Sequence, residues 1–339
     1  MAEINRQIHL VSRPGGEASA ENFRLVEQPL GTPGEGQVLV RHHFMSLDPY
    51  MRGRMNDAKS YAQPQPLDEV MQGGTAGVVV ASNHPGYKAG DSVVGFGGWQ
   101  EYSIVDAGVA GSLRKVDTGR VPLSAYLGVV GMPGVTAWYG LMKICEPKAG
   151  QTIVVSAASG AVGSVVGQLA KTRGCRAVGT AGGADKCRYV TEELGFAACI
   201  DYKAHRDSNS LYQALKEATP DGVDGCFENV GGAVFDATLA RMNAFGRIAL
   251  CGMISGYDGQ PIPIQQPQLL LQSRLRLEGF IVSEHMEVWP EELQEFGTLV
   301  ATRKLKYRES IAQGIAAAPE AFLGLLKGRN FGNQLVKLV

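Results

Sequence analysis

From Gln37 to Asp106 the chain runs as short β-prone stretches, QVLVRHHFMSL, GVVVASN, SVVGF and EYSIV, broken by glycine, proline and aspartate clusters. That pattern predicts a compact, mostly β, barrel-like unit. After Gly128 the pattern changes to apolar strands alternating with helical stretches. TIVVSA leads to a helix through Lys171, CRAVGT to a helix over Lys186–Glu193, and ACIDY to a helix over Leu211–Ala218. VDGCFENV then precedes a helix over Val234–Met242, and RIALCG and LRLEGFIV follow. Nearly continuous apolar strands separated by helices are the signature of a parallel sheet covered on both faces, a doubly wound nucleotide-binding architecture. Beyond it, Leu293, Phe296, Leu299 and Val300 fall at helical spacing after Pro290, within a helix expected over Trp289–Arg303. The final LVKLV is β-prone and is expected to pack back on the N-terminal unit. Ser255–Gln268 reads as a polar, Pro-rich loop between two strands, and no internal repeat is visible.

Composition narrows the function classes. With 32 Lys+Arg against 33 Asp+Glu the net charge is −1, so there is no basic footprint for nucleic acid or an anionic membrane. An apolar fraction of 45% with 19% charged residues argues against disorder and leaves a small-molecule protein as the default reading. Glycine is abundant, 44 of 339 residues, without a Gly-X-Y period, which implies many tight turns and close backbone approaches. The opening MAEINRQIHLVSRPGG has no basic segment leading into an apolar run, and no stretch is long enough to span a membrane, so a cytoplasmic protein is expected. The six cysteines, Cys145, Cys175, Cys187, Cys199, Cys226 and Cys251, form no C-x-x-C pair and mostly sit in apolar runs; buried free thiols are expected.

The most informative segment is TIVVSAASGAVGSVVGQLAK, where a strand runs into Ala158-x-Gly160-x-x-Gly163 and then an amphipathic helix. Gly160 would let the backbone approach a pyrophosphate, met by free amides and the positive end of a helix dipole, and Gly163 would let the helix lie close on the strand. Ala158 replaces the usual first glycine; the competing account is a Gly-rich turn without a ligand. NAD would call for a carboxylate at the end of the second strand, but that strand ends Thr180-Ala181-Gly182-Gly183. Gly183 leaves space for a 2′-phosphate, with Lys186 and Arg188 following, which favours NADP; Asp185 is contrary evidence, and a solvated surface lysine is the bland alternative. Asn229, in Glu228-Asn229-Val230-Gly231-Gly232, follows the fourth strand and is either a cofactor contact or a turn former.

Zinc-dependent alcohol chemistry needs Cys and His ligands early in the chain, and no cysteine precedes Cys145. His9, His42, His43, His84, His205 and His285 show no ligand spacing and are expected to be structural, so no metal is expected. A serine nucleophile is unsupported, because G-x-S-x-G is absent. Two segments stand out instead. Leu47–Met55, LDPYMRGRM, sets Tyr50 beside Arg52 and Arg54, with an ordinary turn and a structural Arg52 ion pair as the alternative. Tyr257 follows the fifth strand, where a phenol could donate to an oxygen gaining negative charge or simply be a half-exposed aromatic.

Taken together, LDPYMRGRM, GMPGVTAWYGL (Gly131–Leu141), AASGAVGSVVGQLAK (Ala157–Lys171), ENVGG, CGMISGY (Cys251–Tyr257) and EGFIV (Glu278–Val282) resemble one family: the zinc-independent, NADPH-dependent double-bond reductases of the medium-chain dehydrogenase/reductase superfamily, which include prostaglandin, 2-alkenal and bacterial curcumin reductases. The resemblance implies an α/β fold with a GroES-like β-barrel domain over residues 1–128, a doubly wound Rossmann domain over 129–304 and a C-terminal return over 305–339, with the active site between the domains and a homodimeric assembly. It implies that Gly160, Ala161 and Val162 face the pyrophosphate of NADPH, Lys186 and Tyr202 its 2′-phosphate, and Asn229 a ribose or the pyrophosphate. Thr136 and the Phe280–Val282 backbone would hold the nicotinamide, and Asn330 would reach the phosphates. Tyr257 would stand beside the substrate carbonyl, and Tyr50 and Met132 would line the substrate pocket. The implied reaction is hydride transfer to the β-carbon of an enone or alkenal; a quinone reductase of the same superfamily and an NADPH-binding protein with a structural or regulatory role are the alternatives.

Overall fold

The computed structural model describes residues 3–205 and 207–339, which form two compact units. The first runs through Gly128 and resumes at Glu309; the second is Val129–Arg308.

The first unit opens with β1 (Ile4–Leu10), β2 (Phe23–Pro29), β3 (Gln37–Leu47), α1 (Tyr50–Arg54), β4 (Glu69–Val70), β5 (Thr75–Ser82), β6 (Ser92–Gly95), β7 (Tyr102–Asp106) and β8 (Leu113–Lys115). The four segments expected between Gln37 and Asp106 are β3, β5, β6 and β7. The β1–β2 hairpin and β4, which form their own three-stranded sheet, fall outside the expected stretch. β1 was hard to see because its alternation is masked: Asn5, Gln7 and His9 are themselves buried, and Asn5 spends its side chain on the backbone of Tyr102. Within LDPYMRGRM, Tyr50–Arg54 form the short helix α1, and Arg52 is buried. Its guanidinium donates to Asn56 Oδ1 at 2.8 Å and to the Gly16 carbonyl, which makes it a structural tie.

The second unit contains α2 (Met132–Tyr139), β9 (Thr152–Val155), α3 (Gly163–Thr172), β10 (Arg176–Ala181), α4 (Ala184–Arg188), β11 (Ala198–Asp201), α5 (Ser208–Ala218), β12 (Val223–Glu228), α6 (Gly232–Leu239), β13 (Met242–Leu250), α7 (Gln268–Gln272), β14 (Arg276–Gly279) and α8 (Trp289–Ala301). Its six strands are all parallel, in the order β11-β10-β9-β12-β13-β14. This is the 3-2-1-4-5-6 winding of a Rossmann sheet, in which the reversal between β9 and β12 opens a crevice at the carboxyl ends of the strands. One helix boundary departs from expectation. α6 stops at Leu239 rather than reaching Met242, because Arg241 N closes a turn on the Thr238 carbonyl at 2.9 Å and Met242 pairs with Val223 as the start of β13.

The chain then returns to the first unit as β15 (Glu309–Gln313), α9 (Ala318–Leu326) and β16 (Asn333–Lys337). β16 lies antiparallel to the end of β3, completing a larger sheet in the order β15-β16-β3-β5-β6-β8, with β7 antiparallel to the start of β3. The tail carries core residues too: Phe322 of α9 meets Trp99 edge-on at 5.4 Å, and Trp99 stacks on Phe23 at 5.6 Å. A GroES-like strand assembly and a Rossmann sheet are therefore the fold, as the resemblance implied.

A buried carboxyl in the second unit makes a pH-dependent contribution to stability. Glu292 of α8 is 3% exposed, and burial, reinforced by Glu295 and Glu291, lifts its carboxyl to about 7. Its unfolded value lies near 4.5, so between the two the native state binds the extra proton and stability falls as pH rises. Glu292→Gln is expected to raise the melting temperature at pH 8 and to lose that advantage by pH 5; equal shifts at both pH values would contradict this.

Candidate cofactor and active site

The turn after β9 is shaped by close approach. Ala157 adopts a left-handed φ of 50°, and Gly160 N closes on the Ala157 carbonyl at 2.9 Å. A Cβ at Gly163 would sit 2.4 Å from that same carbonyl oxygen, so the first residue of α3 lies directly on the turn and only glycine fits. The first i→i−4 bond of the helix is Ser164 N to the Gly160 carbonyl, at 3.1 Å. The amides of Ala161, Val162 and Gly163 precede it, at the positive end of the helix dipole. Gly160, Ala161 and Val162 are half-buried, so this N-terminus can be reached by an anion. Ala158 in place of the first glycine is accommodated across the sheet: it is fully buried, and a Cβ on Gly179 of β10 would stand only 2.6 Å from the Ala158 Cβ. The glycine has in effect moved to the neighbouring strand. Gly163→Ala is expected to destabilise the protein by about 1–3 kcal/mol, since the opposing atom is backbone and cannot swing away; urea unfolding measures it, and wild-type stability would contradict the clash.

At the end of β10 the chain turns through Gly182 and Gly183. Gly183 has φ 111° and open space where a side chain would be. Asp201, at the end of β11, accepts through Oδ1 from Gly183 N at 2.7 Å and from Lys203 N at 3.0 Å, so its carboxylate fixes two loops. Asp185, the apparent objection to NADP, pairs with Arg188 on the exposed side of α4. Lys186 is half-buried, and burial together with the charge of Lys203 pulls its ammonium below the ordinary lysine value. Tyr202 and Lys203 crowd the same corner: a Cβ on Gly182 would meet the Tyr202 hydroxyl at 2.8 Å and the Lys203 Cε at 2.9 Å. Two mutually repelling ammonium groups and a phenol near the open Gly183 could receive a dianion, which would relieve the repulsion. Lys203 was missed in the sequence because the residue after a strand end looks like solvated surface.

The turn after β12 is organised by Glu228, also missed. Its carboxylate is fully buried, and Oε1 accepts from Ser156 Oγ at 2.9 Å, Val230 N at 2.6 Å and Gly231 N at 2.7 Å. Burial pushes its pKa up, and those donors pull it back. Asn229 is held at both ends, with N donating to Ser156 Oγ at 2.7 Å and Nδ2 to the Ser156 carbonyl at 2.8 Å. Its Oδ1 remains as an acceptor for a ribose hydroxyl. Gly252, at the end of β13, joins this turn to Tyr257: a Cβ there would lie 3.3 Å from the Asn229 carbonyl oxygen and 3.4 Å from the Tyr257 hydroxyl. Half-buried Tyr257 thus stands at the carboxyl edge of the sheet, beside Asn229.

Thr136 projects from α2 and donates its hydroxyl to the Met132 carbonyl at 2.7 Å, which leaves its oxygen to accept from a carboxamide NH2. Met132, the first residue of α2, is half-buried. Phe280 follows β14, stacked on Tyr139 at 5.5 Å and edge-on to Phe227 at 6.3 Å. The Val282 carbonyl accepts from His285 N at 3.2 Å and Trp289 Nε1 at 3.1 Å, so the acceptor capacity of that residue is used within the unit. Tyr50 and Asn330 belong to the other unit. There the Arg54 guanidinium lies 4.6 Å from the centre of the Tyr50 ring, and burial, with nearby Asp48, pushes the Tyr50 phenol up. Asn330 Nδ2 donates to the Gly332 carbonyl at 2.8 Å. Of the histidines, His42 is buried with Nε2 2.8 Å from Ser103 Oγ, and burial drives its pKa down to about 3, which keeps it neutral.

All six cysteines are free thiols, as expected, but only half of them are buried. Cys145, Cys175 and Cys226 are buried, while Cys187, Cys199 and Cys251 are only partly so, and Cys187 and Cys199 meet with sulfurs 3.1 Å apart. Among the described residues no three His, Cys, Asp or Glu side chains converge as a metal site. None of their helices is long and apolar enough to cross a membrane.

Comparison with known proteins gives the following. Residues 6–113 match the family described as the N-terminal domain of oxidoreductase, and residues 161–298 the family described as zinc-binding dehydrogenase. Among the described residues no Cys and His cluster offers the ligands that the zinc of that description would need. The chain is 47% identical to the NADPH-dependent curcumin reductase of Escherichia coli, over 98% of this chain and 97% of that protein. It is 42% identical to the NADP(+)-dependent 2-alkenal reductase of Nicotiana tabacum, over 89% and 88%. The crystal structure of CurA in complex with NADPH from Vibrio vulnificus superposes with a TM-score of 0.92 at 44% identity, covering 98% of this chain and 99% of that one.

Proposed function

Because this chain belongs to the double-bond reductases of the medium-chain dehydrogenase/reductase superfamily, we propose that it is an NADPH-dependent reductase of the carbon–carbon double bond in α,β-unsaturated ketones and aldehydes. The observation that carries the cofactor choice is the Lys186–Lys203–Tyr202 corner around Gly182 and Gly183, which suits a 2′-phosphate. When bound, NADPH would supply a hydride to the β-carbon of the substrate, and the enolate so formed takes a proton at its α-carbon to complete the reduction.

The chain's own residues supply the rest. The amides of Ala161, Val162 and Gly163 meet the pyrophosphate charge with the dipole of α3 behind them. Glu228 and Ser156 hold Asn229 in place, so its Oδ1 meets a ribose hydroxyl without reorganising. Thr136 and the backbone at Phe280–Val282, apart from the Val282 carbonyl already engaged by His285 and Trp289, orient the carboxamide. As the β-carbon gains hydride, negative charge spreads onto the substrate carbonyl oxygen, where Tyr257 donates a hydrogen bond. Conjugation disperses that charge, so the step needs no Lewis acid. Met132 and Tyr50 are assigned to the substrate, Asn330 to the phosphates, and the assembly is read as a cytoplasmic homodimer on the family resemblance.

The test is a panel of enones, alkenals, curcumin-like dienones, quinones and simple alcohols, followed by NADPH consumption with product identification. Saturation of the conjugated double bond is expected. Turnover confined to quinones would replace this reading with a quinone reductase, and tight NADPH binding without any turnover would favour a regulatory role.

A further inference from the structure

Two of the partly buried thiols lie behind the 2′-phosphate corner. Cys187 belongs to α4, one residue after Lys186, and Cys199 to β11, two residues before Asp201, whose carboxylate holds the Gly183 and Lys203 amides. The Cys199 thiol donates to the Cys187 sulfur across 3.1 Å, and neither residue is sealed from solvent. A donated thiol hydrogen bond favours the thiolate on the acceptor, and the pKa of Cys187 is correspondingly lowered while that of Cys199 is raised. The contact makes the pair competent for thiol chemistry, and the Cys187 sulfur, which receives the bond, is assigned the first attack.

We infer that Cys187 and Cys199 form a covalent modification site for hydroperoxides, closing to a disulfide that loosens the grip of the adjoining corner on the cofactor 2′-phosphate. The second half rests on the role proposed above for Lys186. In the first step the Cys187 thiolate attacks the terminal peroxide oxygen. The O–O bond breaks, the leaving oxygen takes a proton as water or alcohol, and Cys187 becomes a sulfenic acid. In the second, Cys199 gives up its proton and attacks the Cys187 sulfur, and hydroxide leaves as water. Two thiols lose two electrons and two protons, and one peroxide gains them. Drawing the sulfurs from 3.1 Å to the ~2.05 Å of a disulfide ties α4 to β11 and shifts Lys186 against Asp201 and Lys203.

The experiment treats the reduced full-length protein with hydrogen peroxide, blocks remaining thiols and maps peptides by mass spectrometry. A linked Cys187–Cys199 peptide pair lacking two hydrogens is expected. Cys199→Ser should instead accumulate a Cys187 sulfenic acid trapped by dimedone, and Cys187→Ser should leave Cys199 unoxidised. Oxidation elsewhere with these two thiols intact, or a persistent wild-type sulfenic acid, would overturn the site. NADPH affinity, read by fluorescence, should fall several-fold on oxidation of the wild type but not of Cys187→Ser, with NADH affinity unchanged. Linked thiols with unaltered NADPH affinity would overturn the coupling. Reduced Lys186→Ala separates the causes: if it binds NADPH like wild type, the Lys186 reading has failed and the disulfide stands on its own.

Discussion

Tyr257→Phe is expected to lower kcat for enone reduction by about 10²–10³-fold, the effect of removing one donor to a developing oxyanion, or about 2.7–4 kcal/mol. The expectation comes from placement: the hydroxyl sits over Gly252 at the carboxyl edge of the sheet, beside the Asn229 turn, where charge would develop next to a bound nicotinamide. Loss of the hydroxyl leaves the ring and its packing, so NADPH affinity should hold. Because the donor acts on charge that appears mainly in the transition state, kcat and kcat/KM should fall together with KM little changed. Steady-state kinetics with one enone, alongside NADPH titration, measures both. Unchanged turnover would remove Tyr257 from the chemistry, and a loss confined to NADPH binding would make it a cofactor contact.

The Lys186→Ala, Lys203→Ala double variant is expected to weaken NADPH binding by about 10²-fold or more and NADH binding by less than about 3-fold. Each lysine offers a charge-assisted hydrogen bond worth about 1.5–3 kcal/mol, and only NADPH carries the phosphate that receives it. Their mutual repulsion in the free protein, which helps depress Lys186, means each single variant should lose less than half of the combined effect. Equal losses for both cofactors would assign the lysines to general electrostatic attraction. The result also bears on Asp185: with its carboxylate turned to Arg188, Asp185→Ala should leave the NADPH/NADH ratio unchanged.

Much of the fold was legible because two kinds of pattern survive in a linear sequence. The apolar runs of β9, β10, β12 and β13 announce strands buried on both faces, and the glycines at positions 160 and 163 announce a turn too tight for side chains. Less legible was anything whose meaning depends on a neighbour distant in sequence. β1 was hidden because its polar residues find partners far along the chain, Gln100 and Tyr102 among them, and the Gly16 carbonyl that accepts from Arg52 lies 36 residues away. The end of α6 was misplaced because Met242 suits a helix locally but pairs with Val223 in the sheet.

What the chain determined unaided is local: periodicity, turn chemistry and the alternation of strand and helix, all set by residues within a few positions of one another. Only the tertiary structure decided which charges share a corner, as Lys186 and Lys203 do, which glycine compensates Ala158, that Glu228 is an internal clamp, and that Cys187 and Cys199 touch. The reason is physical. Electrostatic and sulfur chemistry act over a few ångströms in space, and parallel strands bring together residues whose separation along the chain is set by the intervening helices.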